Sequence, residues 1–490
     1  MEKRTGDRMV GIDIKSPTPL RFGIVKLEKV IKNKIRLDAS SYNFDVLKAI
    51  EKIKSNKYGF IPLWGENGVI SDAYYPGRYK RIYVSSKKGT PFYMPSQLDD
   101  ILPKPTKYVS ALTVQQLGDD FIKEKSLLLS RSGTIGKSAI SSAASIGKLF
   151  SDDVIRVTFK HDFDLGYTYA FLKTDIGLSI LQGNIYGSVI DHIEPEHLNN
   201  IPIPNAPQAE RERINNLIDE SYKLRDTSNE LIISAQDTLH RELRLPPLSD
   251  MVPSQYSDNS GFNNFSVKLS QTDLRFDGSY HLPIVNEIEK RISENSERVA
   301  RLGDTDISEK IILPGRFKRV YVDKAHGIPF FGGKQLLSLN PSNMKYLSSL
   351  HHGDRIEEQL FLKENMIAIS CSGTIGKVMI VPKHWEGWTM NQHVIRIVPS
   401  TEEIAGYIYA WAESEYCKPL IERYIYGSVI DEVDDLQIAN VPIPIIRDKK
   451  KLCDINQKVL NANTLRYAAY QKEQEAFRLM EAIIDGVTSG

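Results

Sequence analysis

Ile185 to Asp191 reads IYGSVID, and Ile425 to Asp431 reads IYGSVID again, 240 residues later. An exact return of that length marks a duplication, and the reading of the chain starts there. Ser132 to Lys137 (SGTIGK) returns as Ser372 to Lys377 at the same offset, and Ile201 to Pro204 (IPIP) returns as Val441 to Pro444 (VPIP). Val154-Ile155-Arg156 matches Val394-Ile395-Arg396; Gly166-Tyr167 with Tyr169-Ala170 matches Gly406-Tyr407 with Tyr409-Ala410. Upstream the offset falls to 238, pairing Pro76-Gly77-Arg78 with Pro314-Gly315-Arg316 and Lys107-Tyr108 with Lys345-Tyr346. Arg36-Leu37-Asp38 pairs with Arg275-Phe276-Asp277 at 239. The second copy therefore carries two extra residues between the positions of Leu112 and Ser130. This is one long module written twice, not a solenoid.

Both copies keep the same internal order. A turn-rich globular part comes first, with β-branched runs at Arg81 to Ser85 (RIYVS) and Val154 to Phe159 (VIRVTF) that read as strands. The proline-punctuated exit follows, which should stop any strand or helix there. A long helical segment comes next. From about Pro207 to Leu245, Leu217, Leu224 and Leu231 recur every seven residues beside Ile214 and Ala235. In the second copy Ile455, Ala462, Ala469, Ala476 and Ile483 recur likewise, beside Leu452, Val459 and Met480. Sustained seven-residue spacing predicts helices that pack on each other, and about 40 residues give a rod of ~60 Å. Asn205 to Leu245 holds 6 basic and 8 acidic residues, and Ile446 to Asp485 holds 8 and 6, so their net charges are opposite, and the duplication favours an antiparallel pair over two unrelated solvated helices. Pro246 to Phe265, rich in Pro, Ser, Asn and Gly, reads as a linker.

Apolar residues at 41% and charged residues at 26% of 490 describe a chain with ordinary cores, which excludes disorder and collagen-like structure. The 63 basic residues nearly balance the 62 acidic ones, so any nucleic-acid surface must be a local patch. Cys371, Cys417 and Cys453 fit no metal spacing and read as reduced thiols of a cytoplasmic protein. Met1 to Val10 is too polar for a signal peptide, and no apolar run approaches the ~20 residues of a membrane span.

Catalytic signatures fail one by one. Gly133 to Ser138 resembles the end of a phosphate-binding loop, but the first glycine that loop needs is Arg131 in one copy and Cys371 in the other. GTIGK then reads as a tight turn between strands Leu127 to Ser130 and Lys137 to Ile140, with glycines at positive φ. No Glu-x-Lys, Asn-Pro-Pro-aromatic or Gly-x-Ser-x-Gly string occurs, and His351-His352 has no helical metal-binding partner and reads as exposed. Neither a metal nor a cofactor is expected.

An Arg-Leu-Asp or Arg-Phe-Asp start, an SGTIGK turn, an IPIP exit and a long helix, in that order and twice, resemble the DNA specificity subunit of type I restriction–modification systems. The resemblance spans about Lys34 to Asp485. The helix starts depart from the family's Ala-Glu-Gln pattern, reading Gln208-Ala209-Glu210 and Arg447-Asp448-Lys449. It implies an α+β chain of two target recognition domains joined by two long antiparallel coiled-coil helices. The expected spans are an extension at 1–30, recognition domains at 31–204 and 271–444, spacer helices at 205–245 and 445–488, and a linker at 246–270. It further implies a non-catalytic reader of a bipartite, asymmetric site on double-stranded DNA. Two adenine methyltransferase subunits would dock on the helices, in complexes that restriction–translocase subunits also join. Leu217, Leu224 and Leu231 should face Ala462, Ala469 and Ala476 there, holding the two readers apart. The rival readings are a degenerate enzyme and a scaffold that binds protein without DNA readout.

Candidate DNA contacts follow from comparing the copies. GRYKR and GRFKR offer Arg78, Lys80, Arg81, Arg316, Lys318 and Arg319 to phosphates. Arg131, Thr134, Lys137, Thr374 and Lys377 stand in or beside the identical turns. Segments that read different half-sites should differ, and Gly147 to Asp153 (GKLFSDD) agrees with Gly387 to His393 (GWTMNQH) only at the glycine. Lys148, Ser151 and Asp152 are the expected readers in one copy; Asn391, Gln392 and His393 are those in the other.

Overall fold

The computed structural model describes residues 25–32, 43–118, 120–133, 135–183, 192–251, 265–272, 274–427 and 429–487. Helix and strand are mixed throughout. Each copy builds a four-stranded antiparallel sheet. In the first, Ile70–Tyr74, Val154–Phe159, Leu127–Ser130 and Ser138–Ile140 lie side by side; in the second, Ser308–Ile312, Val394–Pro399, Ile367–Ser370 and Val378–Ile380 do. The registers coincide, Leu127 opposite Val157 and Ile367 opposite Ile397. A smaller sheet crosses the N-terminal part of each copy, where Thr90–Tyr93 pairs with Lys107–Val109 and, in parallel, with Leu149–Phe150. Its counterpart adds the two-residue strand Tyr321–Val322. Arg81 to Ser85 is not a strand, since only Tyr83 bridges to Val109 before a turn begins.

The proline exits behave differently from expectation. Pro202–Pro204 pairs with Phe60–Pro62, and Pro442–Ile445 with Arg298–Arg301. Prolines at alternate positions place their missing donors on one side only, which a two-stranded edge tolerates.

The repeated Gly-Tyr-x-Tyr-Ala now has a cause. Gly166 and Gly406 lie in helices Phe163–Lys173 and Glu402–Ala412, where their N–H groups donate to Asn215 Oδ1 (2.8 Å) and Asn456 Oδ1 (2.7 Å). A Cβ at Gly406 would sit 2.4 Å from the Asn456 carbonyl oxygen, so only glycine lets these helices meet the long ones. The next residues, Tyr167 and Tyr407, donate to the exit carbonyls of Pro204 (2.8 Å) and Pro444 (2.6 Å).

The long helices run Gln208–Glu242 and Lys449–Asp485. Asp448 caps the second by accepting from Lys450 N and Lys451 N, and Gly486 ends it at φ +73°. They pack antiparallel: Lys472 pairs with Glu220 (2.7 Å) near one end and Lys451 with Glu242 (2.5 Å) at the other. The middle of the seam is small. Ser221, fully buried, donates to the Ala469 carbonyl (2.8 Å), and Ala462, Ala469 and Ala476 are all 0% exposed. Leu217, Leu224 and Leu231 flank that seam, sharing apolar clusters with Ala476, Ala469 and Ala462 respectively.

Between the two helices and both globular parts lies a buried polar knot. Glu473, 1% exposed, accepts from Arg225 Nη2 (2.7 Å), Tyr169 Oη (2.7 Å) and Asn340 Nδ2 (3.0 Å). The globular parts also touch each other here, at equivalent positions: Asp100 bridges Ser338, and Ile101 N donates to the Leu337 carbonyl (2.8 Å). Contact at the centre replaces the expected separation by a bare rod. The segment expected as linker begins as packed chain, with Met251 5% exposed; residues 252–264 lie outside the described residues, as do the first IYGSVID and Arg36 to Asp38.

Burial alone would raise the Glu473 carboxyl, but Arg225 and Lys173 and the hydrogen bonds from Tyr169 and Asn340 hold it below the ordinary value of 4.5. Glu473→Ala strands the Arg225 guanidinium and is expected to cost ~3–5 kcal/mol in denaturant unfolding. The pair's contribution should be complete above pH 4.5 and disappear as pH falls through the lowered value, so the variant loses less stability on acidification than the parent. Equal acid sensitivity of the two would refute this account.

Candidate nucleic-acid interface

GRYKR and GRFKR lie in extended coil. Each coil is anchored by one backbone donor: Ile82 N donates to Thr113 Oγ1 (3.0 Å), and Val320 N to His352 Nε2 (3.0 Å). His352 is thus a half-buried neutral acceptor; burial, then His351 and Arg355, push its pKa down. The exposed reading of the His351-His352 pair holds for His351 only. Sequence gave no signal for this role, because the anchors sit where the copies diverge.

The anchoring sorts the basic side chains by alternation. Arg78, Lys80, Arg316 and Lys318 are exposed. Arg81 and Arg319 turn inward over aromatic rings, Arg81 between Tyr79 (5.8 Å) and Phe92 (5.7 Å), Arg319 between Phe317 (5.8 Å) and Phe330 (5.5 Å). Both then reach the divergent segment. Arg81 pairs with Asp152 and donates to Ser151 Oγ (3.3 Å), while Arg319 donates to Gln392 Oε1 (2.6 Å). The geometry brings coil and divergent loop together in both copies.

Within that loop the residues take separate parts. Ser151 Oγ accepts from Asp153 N (3.2 Å) and Asn391 Oδ1 from His393 N (3.0 Å), so both close the same turn. Ser151 is fully buried, and Asn391 lies over Gly332, where a Cβ would come within 2.2 Å of its Nδ2. Their polar groups face the protein. Gln392 Nε2 and His393 Nε2 lie 3.1 Å apart, and burial, then Arg319, lower the His393 pKa. Lys148 is not at a tip: it lies half-buried 5.1 Å from the Tyr93 ring centroid, and burial lowers its pKa.

The identical turns close as expected, with Gly133 and Gly373 at φ +74° and +75°, and Gly136 and Gly376 at +93° and +79°. Thr374 is exposed; Thr134 lies outside the described residues. Lys137, however, bonds Asp99 (2.8 Å) and the Ser96 carbonyl (3.2 Å), which turns it away from a phosphate. Lys377 is half-buried on the side facing Asp100. Arg131 lies 4.2 Å from the Tyr75 ring centroid, paired with Glu194 (2.5 Å) and 3.8 Å from Asp153. At the matching place Cys371 is buried, and burial pushes its thiol up to about 12.

Two repeated arginines that sequence left without a role, Arg156 and Arg396, are buried staples. Arg156 Nη2 donates to the Phe150 carbonyl (2.9 Å), and Arg396 Nη1 to that of Val394 (2.9 Å), fixing the loop before each strand. Among the described residues no group of three or more His, Cys, Asp or Glu could hold a metal, and no helix is long and apolar enough to cross a membrane.

Residues 327–470 match the type I restriction modification DNA specificity domain. That match lies wholly within the second copy. The specificity domain takes in Arg396, the SGTIGK turn, the second IYGSVID, the Asn391–His393 loop and half of the second long helix, which bears out the resemblance read from the sequence. Three solved structures are also similar. The type I restriction–modification S subunit of M. genitalium is 11% identical with a TM-score of 0.28, over 88% of this chain and 99% of that one. The HsdS subunit of Thermoanaerobacter tengcongensis is 15% identical with a TM-score of 0.26, over 85% and 93%. A structure described by the complex assembly and conformational transition of the type I R-M system is 14% identical with a TM-score of 0.27, over 87% and 96%. No curated protein matches.

The thiols report on this region. With Cys371 and Cys417 buried and Cys453 exposed, an alkylating reagent should label one site in the native protein and three after unfolding, counted by peptide mass spectrometry. Native labelling of Cys371 would mean that the loop does not close over it.

Proposed function

We propose that this chain is the non-catalytic, sequence-specific DNA-recognition subunit of a type I restriction–modification complex. Each globular part reads one half of a bipartite, asymmetric site, and two adenine methyltransferase subunits, with restriction–translocase subunits joining them, carry out the chemistry. The recognition domains are residues 31–204 and 271–444, the helices 205–245 and 445–488 set their spacing, and 246–270 connects the halves.

One observation carries this reading: in both copies an exposed basic coil is bolted through an arginine to a loop that differs between copies. Arg78, Lys80, Arg316 and Lys318 are suited to phosphates, which position a protein without informing it of sequence. The loops beside them present different polar edges, Asp152 and Asp153 in one and Gln392 and His393 in the other, as reading two unlike half-sites requires.

Mobility-shift titration over a range of salt tests the electrostatic part. Replacing the four exposed cations with alanine should weaken binding to all duplexes alike and flatten the log–log salt slope by about 3–4. An unchanged slope removes the coils from the interface and favours the protein-binding scaffold.

Gln392→Ala tests the readout. It should lose ~1–3 kcal/mol of discrimination at base pairs of one half-site and leave the other intact. Equal loss in both halves, or a palindromic target, would show that these loops are not the readers.

A further inference from the structure

The two copies hold the same coil position with different chemistry. Ser110 N donates to the Ile82 carbonyl (2.9 Å) and Ser348 N to that of Val320 (3.0 Å), so Ile82 and Val320 are equivalent. Their own N–H groups turn to unlike acceptors, a hydroxyl at Thr113 and an imidazole at His352. The chain beyond each serine explains the exchange. In the first copy Ala111–Leu117 is a plain α-helix, and Thr113, three residues past the serine, is fully buried. In the second, which carries the two extra residues, helix Ser349–Arg355 leaves helical geometry at His352 (φ −135°, ψ 15°), and a π-turn follows over Ile356–Leu360. That kink brings the fourth residue past the serine, rather than the third, onto the coil.

Only one of these acceptors can be lost to a proton. His352 Nε2 accepts from Val320 N only while it carries no proton, because an imidazolium has donors at both nitrogens. The surroundings do not favour a positive ring. His351 and Arg355 face it from its own helix; burial, then these two, keep His352 below the ordinary value of 6.5. From the coil, Arg319 shares the Phe317 ring with it, the guanidinium 5.8 Å and the imidazole 5.2 Å from that ring's centre. On the preceding strand, Ser348 Oγ lies 3.0 Å from His351 Nδ1. Val320 follows Arg319, whose Nη2 donates to Gln392 Oε1 (2.6 Å). Releasing one backbone N–H therefore loosens the arginine that ties the coil to the divergent loop.

We propose that His352 is the positioning residue of the second coil, holding Arg316 and Lys318 towards the duplex and Arg319 on Gln392 only while its ring is neutral, so that acid unlatches one half-site reader and spares the other. This rests on the reading of both coils as DNA contacts. Anchoring should be complete above pH 6.5 and weaken as pH falls below it, because the released ring takes up a proton that the anchored ring refuses.

Two readouts on the full chain test the proposal. Hydrogen–deuterium exchange, corrected for its intrinsic pH dependence, should show residues 317–322 losing protection in acid while residues 79–84 of the same molecule keep theirs. His352→Ala should lose that protection at every pH. His352→Gln, whose amide oxygen can take the place of Nε2, should restore it and remove the pH dependence. Binding to a random-sequence duplex should follow: between about pH 7.5 and about pH 5 the parent should weaken about 3- to 10-fold relative to His352→Gln, the size of one lost hydrogen bond. Thr113→Val should weaken binding to the same extent at all pH values. Parent and His352→Gln with the same exchange profile overturn the proposal. So does a parent that gains affinity over His352→Gln in acid, which would make the protonated ring a phosphate contact in its own right. A coil that opens in acid with no change in duplex binding overturns it through the underlying reading, with the anchor left standing.

Discussion

Everything in this chain hangs on one carboxylate between two helices. Glu473 sits almost fully buried where the long helices cross the globular parts, and its oxygens are claimed by one helix, the first module and the second. A buried ion pair gives little net stability over a hydrophobic substitute, but it penalises wrong registers heavily, because a slip leaves a charge unpaired. Small residues at Ser221 and Ala469 make the requirement stricter by bringing the helix backbones close. Register along the seam in turn fixes where Gly166 and Gly406 seat their helices, through Asn215 and Asn456.

The duplication gives this arrangement an approximate two-fold axis, and Glu473 breaks it. Asn215 and Asn456 are equivalent, so Glu473 corresponds to Ile232 and Arg225 to Arg466. Arg466 is 0% exposed, and no carboxylate of the described residues pairs with it; its Nη1 lies 3.5 Å from Tyr409 Oη. The two halves are therefore alike in chain path and unlike in the chemistry at their junction, which makes each half the proper complement of the other.

Much of the path was legible because duplication exposes it: matched motifs placed the strand Val154–Phe159, the two strands that flank the turn, the turns themselves and both long helices, whereas Arg81 to Ser85 failed as a strand. What stayed hidden depends on contacts distant in sequence. Seven-residue spacing picked out the leucines, yet a close antiparallel seam puts Ser221 and the alanines at its centre and the leucines beside it. Repeated Arg156 and Arg396 look like surface cations, but each is drawn inside by carbonyls of its own preceding loop. Lys137 seemed free until folding placed Asp99 next to it. Ser151 and Asn391 read as base-facing polar groups, although both are spent on closing the same turn.

The surface opposite the junction follows a different rule, in which one frame holds different electrostatics. Arg81 and Arg319 reach the loop from the same backbone position and over the same pair of rings, yet one meets a carboxylate and the other an amide oxygen. Arg131 adds a second cation to the first copy, where Asp153 and Glu194 receive it; the second copy has a buried thiol in its place. A guanidinium facing Asp152 is neutralised, whereas one facing Gln392 keeps its field. The backbone frame can therefore stay fixed while a few side chains at its rim change the sign and strength of the field that the loop presents.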